Sequence, residues 1–202
     1  MSHFEIRSTS KTSSSLLSRA KSNEPAAWER LSKLYGPLVY QWARMAGLQP
    51  DDASDVMQAV FVSLTKKLVQ FRVRNENDSF RGWLYSVTRN KVRDHFRKAQ
   101  KQIHAAGGTA AQIGLEQLPE SAPTTDSAEG RSEVDSLYRR ALQIVQGEFE
   151  GRTWICFWRT TVEGDAPADV AASMNISVWA VYKARSRVLQ RLREEFGDLL
   201  DE

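Results

Sequence analysis

The stretch from Asp165 to Arg193, DAPADVAASMNISVWAVYKARSRVLQRLR, decides the fold class because it encodes two helices separated by a sharp turn. Pro167 suits the first turn of a short helix, where its missing N–H costs nothing. Asn175 tolerates the left-handed backbone that a tight turn requires. Ser177 is a good N-cap for the helix that follows. The stretch therefore predicts a helical hairpin rather than a pair of strands.

The second helix of this hairpin has two distinct sides. Its inward side is predicted to carry Val178, Val181, Val188, Leu192 and Phe196. The opposite side presents Trp179, Ala180, Tyr182, Lys183, Arg185, Ser186 and Arg187. A helix with basic and hydroxyl groups on its exposed side suits the DNA major groove, where it meets base edges and phosphates. An ordinary hairpin with a solvated basic side is the alternative.

The remainder of the chain is also helical in pattern. A helix is predicted from Pro25, with a kink or short break at Gly36–Pro37 and a stop at Gly47. Further helices are predicted over 51–71, 80–102, 132–149 and 151–161. Asp78 or Ser79 is predicted to cap the helix over 80–102. Strand-type alternation is missing from the long segments, so the sequence predicts an all-α fold.

Residues 103–131 differ from both flanks in composition. They contain Gly107, Gly108, Gly114, Pro119, Pro123 and Gly130 and few large apolar residues. From Ile103 to Ser136 one Arg faces six Asp and Glu residues. Such a segment buries too little surface to offset its chain entropy. It is predicted to be a flexible acidic linker between two small helical domains, either a spacer or a mimic of nucleic acid.

A second basic segment runs from Arg72 to Lys101, with nine Lys and Arg residues against three Asp and Glu. The aromatic residues Phe80, Trp83, Tyr85 and Phe96 are interleaved with these charges. Cations neutralise phosphates and aromatic faces stack on unpaired bases, so the mixture suits melted DNA. The alternative is that the aromatic residues are core and the charges merely solvate a helix.

The predicted helix over 51–71 carries an apolar stripe at spacings of three and four. Its members are Met57, Val60, Phe61, Leu64 and Leu68. Such a stripe is typical of a helix that packs in a core. The alternative is a helix whose other side docks on a partner protein.

Composition and motifs exclude several classes of protein. The chain has 202 residues, 41% of them hydrophobic and 26% charged, which is ordinary for a globular protein. No apolar run reaches the length of a membrane span, and the polar N-terminus lacks a signal peptide, so a cytoplasmic protein without membrane contact is expected. The single cysteine, Cys156, and three scattered histidines predict no disulfide, no metal site and no cofactor. Phosphate loops and nucleophile elbows are missing, so no enzyme is expected.

Three segments in this order resemble one family. Asp55–Phe61 is similar to region 2.2 of the sigma-70 superfamily of bacterial RNA polymerase sigma factors. Phe80–Leu84, followed by Thr88–Lys91 and Asp94, is similar to regions 2.3 and 2.4. The hairpin that includes Val181–Arg187 is similar to region 4.2. Length and order resemble the small extracytoplasmic-function (ECF) class, and Leu34–Leu38 and Gly151–Trp154 look like planctomycete members of it.

The resemblance implies a domain plan and three sets of site residues. A disordered start over 1–11 precedes region 2 over 12–102, the linker over 103–131 and region 4 over 132–202. Core-polymerase binding falls to Asp55, Met57, Gln58, Phe61 and Leu64. Binding and melting of the −10 element falls to Arg72, Arg74, Asn75, Asn77, Arg81, Trp83, Tyr85, Arg89, Asn90, Lys91, Arg93, Arg97 and Lys98. Binding of the −35 element falls to Ser177, Val178, Trp179, Ala180, Tyr182, Lys183, Arg185, Ser186 and Arg187.

The partners implied by the resemblance are core RNA polymerase, through the β′ clamp helices and the β subunit, and promoter DNA as duplex and as melted single strand. An anti-sigma protein is a further candidate partner. The sequence departs from the family at Ala59, where an acidic residue usually follows Gln58, and at Trp179 and Tyr182. A helix-turn-helix regulator that acts on DNA without entering the polymerase is the alternative function.

Overall fold

The computed structural model describes residues 15–72, 79–105, 119, 121–124 and 126–200. Within these ranges the chain forms α-helices and one 3-10 turn, and no strand, which confirms the all-α prediction. The helices are α1 Leu16–Lys21, α2 Pro25–Met45, α3 Pro50–Lys67, α4 Phe80–Ala105, α5 Ala128–Gln146, α6 Gly151–Thr161, α7 Pro167–Met174 and α8 Val178–Leu200. The 3-10 turn, Leu68–Gln70, extends α3.

Local sequence explains where the helices begin and end. Proline occupies the first turn of α2, α3 and α7, where its fixed φ angle favours the helix. Asp51 and Asp52 complement the positive end of α3. Gly47 follows α2 at a φ angle of 86°, which only glycine adopts without strain, so the predicted stop is confirmed.

Helix α1 was not part of the sequence prediction. Ser15 caps it by accepting a hydrogen bond from the Ser18 amide at 3.4 Å. Leu16, Leu17 and Ala20 are buried in the main core. Because the helix is only six residues long and follows a Ser/Thr-rich run, its periodicity is too short to read.

Helix α2 continues through Gly36–Pro37, so the predicted short break is wrong. Pro37 lies on the exposed side, while Leu34 and Leu38 on the opposite side are buried. Gly36 faces α3, where a Cβ atom would stand 3.6 Å from the sulfur of Met57. Packing on both sides of the proline therefore holds the helix together despite the lost hydrogen bond.

Helices α1 to α4 form the N-terminal half of the molecule. Edge-to-face aromatic pairs lie at its centre, with ring centroids 5.0 Å apart for both Tyr35–Phe80 and Trp42–Tyr85. Such pairs contribute roughly 0.5–1.5 kcal/mol each beyond the area they bury. The aromatic residues of α4 are therefore largely structural, as one of the two interpretations of this segment predicted.

Helices α5 to α8 form the C-terminal half. Trp154 and Phe157 on α6 pack with Val188 on α8, and a smaller cluster joins Cys156 to α7 and α8. Cys156 is buried, and this burial raises the pKa of its thiol above the ordinary value. The thiol thus belongs to the interior, because a raised pKa leaves little reactive thiolate at neutral pH.

The two halves share one hydrophobic core. Leu137, Ala141 and Val145 of α5 and Phe196 and Leu199 of α8 belong to the same buried cluster as the interior of α1–α4. The division into two domains and their boundaries remain a prediction. Most of the predicted linker lies outside the described residues, as do residues 1–14.

An ion-pair cluster joins the halves at one end of this core. Glu195 of α8, only 2% exposed, accepts hydrogen bonds from Arg19 at 3.0 Å, Arg30 at 3.2 Å and Arg191 at 2.7 Å. Glu148 pairs with Arg30 at 2.6 Å and with Arg191 at 2.7 Å. Burial opposes ionisation of Glu148, but the hydrogen bonds from both arginines outweigh it and lower the pKa of this carboxyl below 4.5.

We expect the contact between the halves to weaken in acid. A carboxyl whose pKa is lowered by folding stabilises the folded form above its ordinary pKa, and this stability is lost as pH falls through the lowered value. Melting temperatures recorded from pH 7 down to about pH 3 should therefore fall less steeply for Glu148→Gln than for the native chain. Glu150→Gln, an exposed neighbour, is the matched control. Identical slopes for Glu148→Gln and the native chain would contradict the assignment.

Candidate nucleic-acid interface

The predicted helix-turn-helix is present with the predicted turn chemistry. Asn175 ends α7 in the left-handed conformation, with φ 52° and ψ 52°. The hydroxyl of Ser177 accepts a hydrogen bond from the amide of Ala180 at 3.2 Å. Val181 is fully buried and Ile176 packs against the same cluster. This packing fixes the angle between α7 and α8.

The outer side of α8 forms a continuous polar and aromatic surface, here called the recognition face. Its exposed members are Ser177, Trp179, Tyr182, Lys183, Ser186 and Arg187. Trp179 is 67% exposed and Tyr182 is 52% exposed, which is unusual for such large rings. The Lys183 ammonium lies 4.9 Å from the centre of the Trp179 ring, a cation–π contact. The face therefore offers both charges for phosphates and flat rings for base edges or sugars.

Three members of the predicted −35 set are not part of the recognition face. Val178 is 39% exposed, so its predicted place on the inward side is wrong. It is the first residue of α8, and packing with α7 begins further along, at Val181 and Ala184. Ala180 and Arg185 are only partly exposed.

The segment before α4 is only partly described. Arg72 is exposed, and its guanidinium donates hydrogen bonds to the carbonyls of Val69 at 2.6 Å and Phe71 at 2.9 Å. Arg74, Asn75 and Asn77 of the predicted −10 set lie outside the described residues. Ser79 caps α4 by accepting from the amide of Gly82 at 2.9 Å, as one of the two predicted caps.

Trp83 sits at the margin of the core. Its ring centre lies 5.0 Å from that of Phe71 and 5.7 Å from that of Phe80. Trp83 is partly exposed, whereas Phe80 is 1% exposed. Of the two rings at the start of α4, Trp83 is the one that solvent or a ligand can reach.

Two residues of the predicted −10 set are buried, one beside α5 and one beside Pro119, and cannot contact DNA in this arrangement. Arg81 is 5% exposed, and its guanidinium lies 2.8 Å from the Glu133 carboxylate of α5. Tyr85 is 2% exposed and donates a hydrogen bond to the carbonyl of Pro119 at 3.0 Å. Burial raises the pKa of the Tyr85 hydroxyl. Arg81 and Tyr85 were predicted to lie on an open surface because the local sequence gives no sign of the distant residues that cover them.

The remaining positions along α4 form a basic surface. Asn90, Arg93, Arg97 and Lys98 are exposed, while Arg89 and Lys91 are partly exposed. Arg97 pairs with Asp94 at 2.8 Å on the open surface, where such a pair contributes little to stability. This surface can therefore rearrange to meet phosphates at small cost.

Helix α3 presents an outward surface that no other described element covers, here called the docking face. It consists of Asp55, Gln58, Ala59 and Val62, all exposed. Met57 and Phe61 are half-buried beside it. Leu64 is 0% exposed because it lies in the core, so it cannot contact polymerase as predicted. Val62, 60% exposed, was missed as a site residue, although its spacing from Asp55 and Ala59 by seven and three is the signal that could have found it.

Neither a cluster of metal ligands nor a membrane-spanning helix occurs among the parts of the chain that the structure describes. There, no group of three or more His, Cys, Asp or Glu side chains could hold a metal ion. None of the described helices combines the length and apolar character needed to cross a bilayer.

Comparison with known proteins finds similarity to sigma factors. The family model for sigma-70 region 2 matches residues 31–102, which contain α2, α3 and most of α4. The RNA polymerase sigma factor CnrH of Cupriavidus metallidurans is 25% identical over 186 residues, covering 92% of this chain and 93% of the relative. The ECF sigma factor BldN of Streptomyces coelicolor is 23% identical, covering 91% of this chain and 65% of the relative.

The ECF sigma factor SigE of Mycolicibacterium smegmatis is 23% identical, and the match covers 83% of this chain but 61% of the relative. The chain thus spans nearly all of CnrH and less than two thirds of SigE and BldN. All three relatives are sigma factors. The matches support an ECF member of the sigma-70 family.

Two solved structures match most of this chain, both at a low TM-score. One is CnrH in complex with the cytosolic domain of CnrY, with a TM-score of 0.36 and 24% identity over 88% of this chain and 92% of that one. The other is the RsbN–BldN complex, with a TM-score of 0.35 and 18% identity over 87% of this chain and 96% of that one. The planctomycete resemblance stays a prediction.

Proposed function

We propose that this sigma factor docks on core RNA polymerase through α3, anchors the upstream −35 duplex with α8 and captures the melted −10 strand with α4. The polymerase then carries out the chemistry of transcription, and the chain supplies promoter specificity. Such a factor acts in the cytoplasm, where the polymerase works.

The observation that carries this proposal is the recognition face of α8. Its inner side fills the core with Val181, Val188 and Phe196, while its outer side leaves two large rings and two cations in water. Leaving such rings exposed costs apolar burial, which a binding surface for a partner explains. The helix-turn-helix holds this face outward, as major-groove binding requires.

The docking face of α3 supports binding to the β′ clamp helices. Val62 supplies an apolar centre, and Asp55 and Gln58 supply hydrogen-bonding groups around it. An apolar centre with a polar rim is the usual anatomy of a protein interface.

A second polymerase contact is proposed on the C-terminal half. A groove of about 280 Å³ runs between α5, α6 and α8, lined by residues that include Leu142, Phe157, Leu189 and Leu192. Its apolar lining fits a short apolar element of the β subunit. An anti-sigma partner remains a prediction for this chain.

The direct test is to mix the purified chain with bacterial core polymerase and run gel filtration. Co-elution of the two, followed by protection of a promoter fragment only when both are present, is the expected result. A free-standing helix-turn-helix regulator would instead bind duplex DNA tightly alone and elute apart from the polymerase. The sigma-factor matches do not favour that alternative.

A gain of polymerase affinity is expected for Ala59→Glu. The position is exposed on the docking face, where the family usually carries a carboxylate. A new charge pair at an interface rim mainly raises the association rate, so we expect roughly threefold to tenfold tighter binding at low salt. Ser54→Glu, on the same helix outside the docking face, is the control. Titration of labelled core polymerase measures both, and equal effects of the two substitutions would argue against a specific contact at Ala59.

A further inference from the structure

A polar groove of about 1000 Å³ runs between α2 and α5. Its lining includes Arg30, Lys33 and Tyr40 of α2, Met57 of α3 and Arg140 of α5. Among the described residues, neither α4 nor α8 contributes to this lining. The groove is therefore separate from both surfaces that are proposed above for promoter DNA.

Two of the cations that line this groove, Arg30 and Lys33, already have carboxylate partners. The guanidinium of Arg30 lies 2.6 Å from Glu148 and 3.2 Å from Glu195. The ammonium of Lys33 lies 2.6 Å from Glu29, in an exposed pair within α2. Because an exposed pair contributes little to stability, Lys33 can exchange Glu29 for another anion at small cost.

Arg140 differs from these two cations, since it forms no ion pair within the described part of the chain. Its Nε and Nη2 atoms are buried without a hydrogen-bond partner. Burial lowers the pKa of this guanidinium, as expected for a cation that no carboxylate compensates. The two nitrogens form one edge of the guanidinium, and this edge binds two oxygens of a phosphate or carboxylate side by side. Leaving it unpaired costs free energy, which a bound anion would recover.

The opposite wall of the groove offers a cation and an aromatic ring in line. Lys33, Pro37 and Tyr40 follow one another at spacings of four and three, so they share one face of α2. Lys33 and Tyr40 are seven residues apart, which places them about 10 Å apart along the helix axis. Arg140 is partly exposed along the groove, and its unpaired edge can turn toward an anion without breaking a hydrogen bond. The groove can therefore hold a ligand that has an anionic end and a flat apolar body.

We propose that this groove binds a small phosphorylated ligand of the nucleotide class. Its phosphoryl group pairs with the Nε–Nη2 edge of Arg140 and with Lys33, and its base packs beside Tyr40. A free nucleotide fits better than a nucleic-acid strand because a single uncompensated guanidinium lines the described groove, whereas a strand brings a row of phosphates. The ligand joins α2 to α5, so its binding stabilises the folded chain.

The full chain is titrated with inorganic pyrophosphate, ATP and GTP in separate experiments, by isothermal titration calorimetry and by thermal melting. We expect the nucleotides to bind more tightly than pyrophosphate, because only they carry a ring that can pack beside Tyr40. At a nucleotide concentration of about ten times the Kd, the melting temperature should rise by roughly 3–6 °C. Equal affinity for pyrophosphate and both nucleotides would overturn the assignment to the nucleotide class.

Substitutions of Arg140 separate ligand binding from a structural role. Arg140→Met removes the charge at similar length and should weaken nucleotide binding at least about tenfold. Arg140→Lys keeps the charge but lacks the two-nitrogen edge, so it should lose most of the affinity as well. Without ligand, Arg140→Met should melt no lower than the native chain, because it removes a buried cation that has no partner. Arg139→Met removes an exposed charge from the same helix and is the matched control, with native affinity expected.

Three results would overturn the proposal. A lower melting temperature of Arg140→Met without ligand would mean that Arg140 has a partner within the chain. Native affinity of Arg140→Lys, or equal losses for Arg140→Met and Arg139→Met, would mean that charge alone explains the binding. Displacement of the nucleotide by a single DNA strand of about 12 nucleotides, at equal phosphate concentration, would assign the groove to a nucleic-acid backbone. Polymerase is absent from every experiment, so failure of the proposed function would leave these results unchanged.

Discussion

Val62→Glu is expected to abolish co-elution with core RNA polymerase. The side chain is 60% exposed at the centre of the docking face, so the folded chain loses little by the change. In a complex the new carboxylate would be buried in an apolar contact without a partner. Central interface positions commonly contribute 2 kcal/mol or more, so at least about a thirtyfold loss of affinity is expected.

Met45→Glu is the matched control for this substitution. Met45 is also an exposed apolar residue of the N-terminal half, at 48%, but it lies at the end of α2 away from the docking face. The Met45→Glu variant should bind polymerase with the same affinity as the native chain. Thermal melting of both variants separates an interface effect from unfolding, and an intact complex with Val62→Glu would remove α3 as the docking helix.

Much of the fold followed from local sequence signals. Asn175, Ser177 and the basic side of α8 predicted the helix-turn-helix because each acts within one helical turn of its neighbours. Asp51 and Asp52 marked the start of α3, and Gly47 marked the end of α2, for the same reason. Signals of this kind can be recognised in a sequence because the interacting residues are only a few positions apart.

The errors arose where the decisive partner is distant in sequence. Arg81 resembled a DNA contact, but its partner Glu133 lies 52 residues further along the chain. Leu64 and Val62 differ in exposure only because of how α3 rotates against α2 and α4. Helix α1 depends on burial of Leu16 and Leu17 against other helices. Short elements and buried ion pairs are fixed by tertiary packing, which periodicity does not encode.

The buried pair between Arg81 and Glu133 also has a thermodynamic consequence. Removing one member of such a pair leaves an uncompensated charge and typically costs 3–5 kcal/mol, whereas the intact pair adds little net stability. A contact of this kind is thus better suited to selecting one arrangement of the two halves than to stabilising either half.

Replacing both Lys183 and Arg187 by Ala should weaken binding to duplex DNA and reduce its dependence on salt. Each phosphate contact contributes about 0.9 to the slope of log affinity against log salt concentration, because bound counterions are released. Two lost contacts should therefore make the slope shallower by about 2. Fluorescence anisotropy of the full chain with a mixed-sequence duplex, from about 50 to 200 mM salt, gives the slope directly.

The matched control replaces Arg139 and Arg193 by Ala. Both are exposed and the same two positive charges are lost, but these residues lie on α5 and on the later turns of α8, away from the recognition face. If duplex binding depends on the face rather than on net charge, the control keeps the native slope. Equal slopes for the two double variants would mean that α8 attracts DNA only through the overall field. Trp179 and Tyr182 would then need another explanation for their exposure.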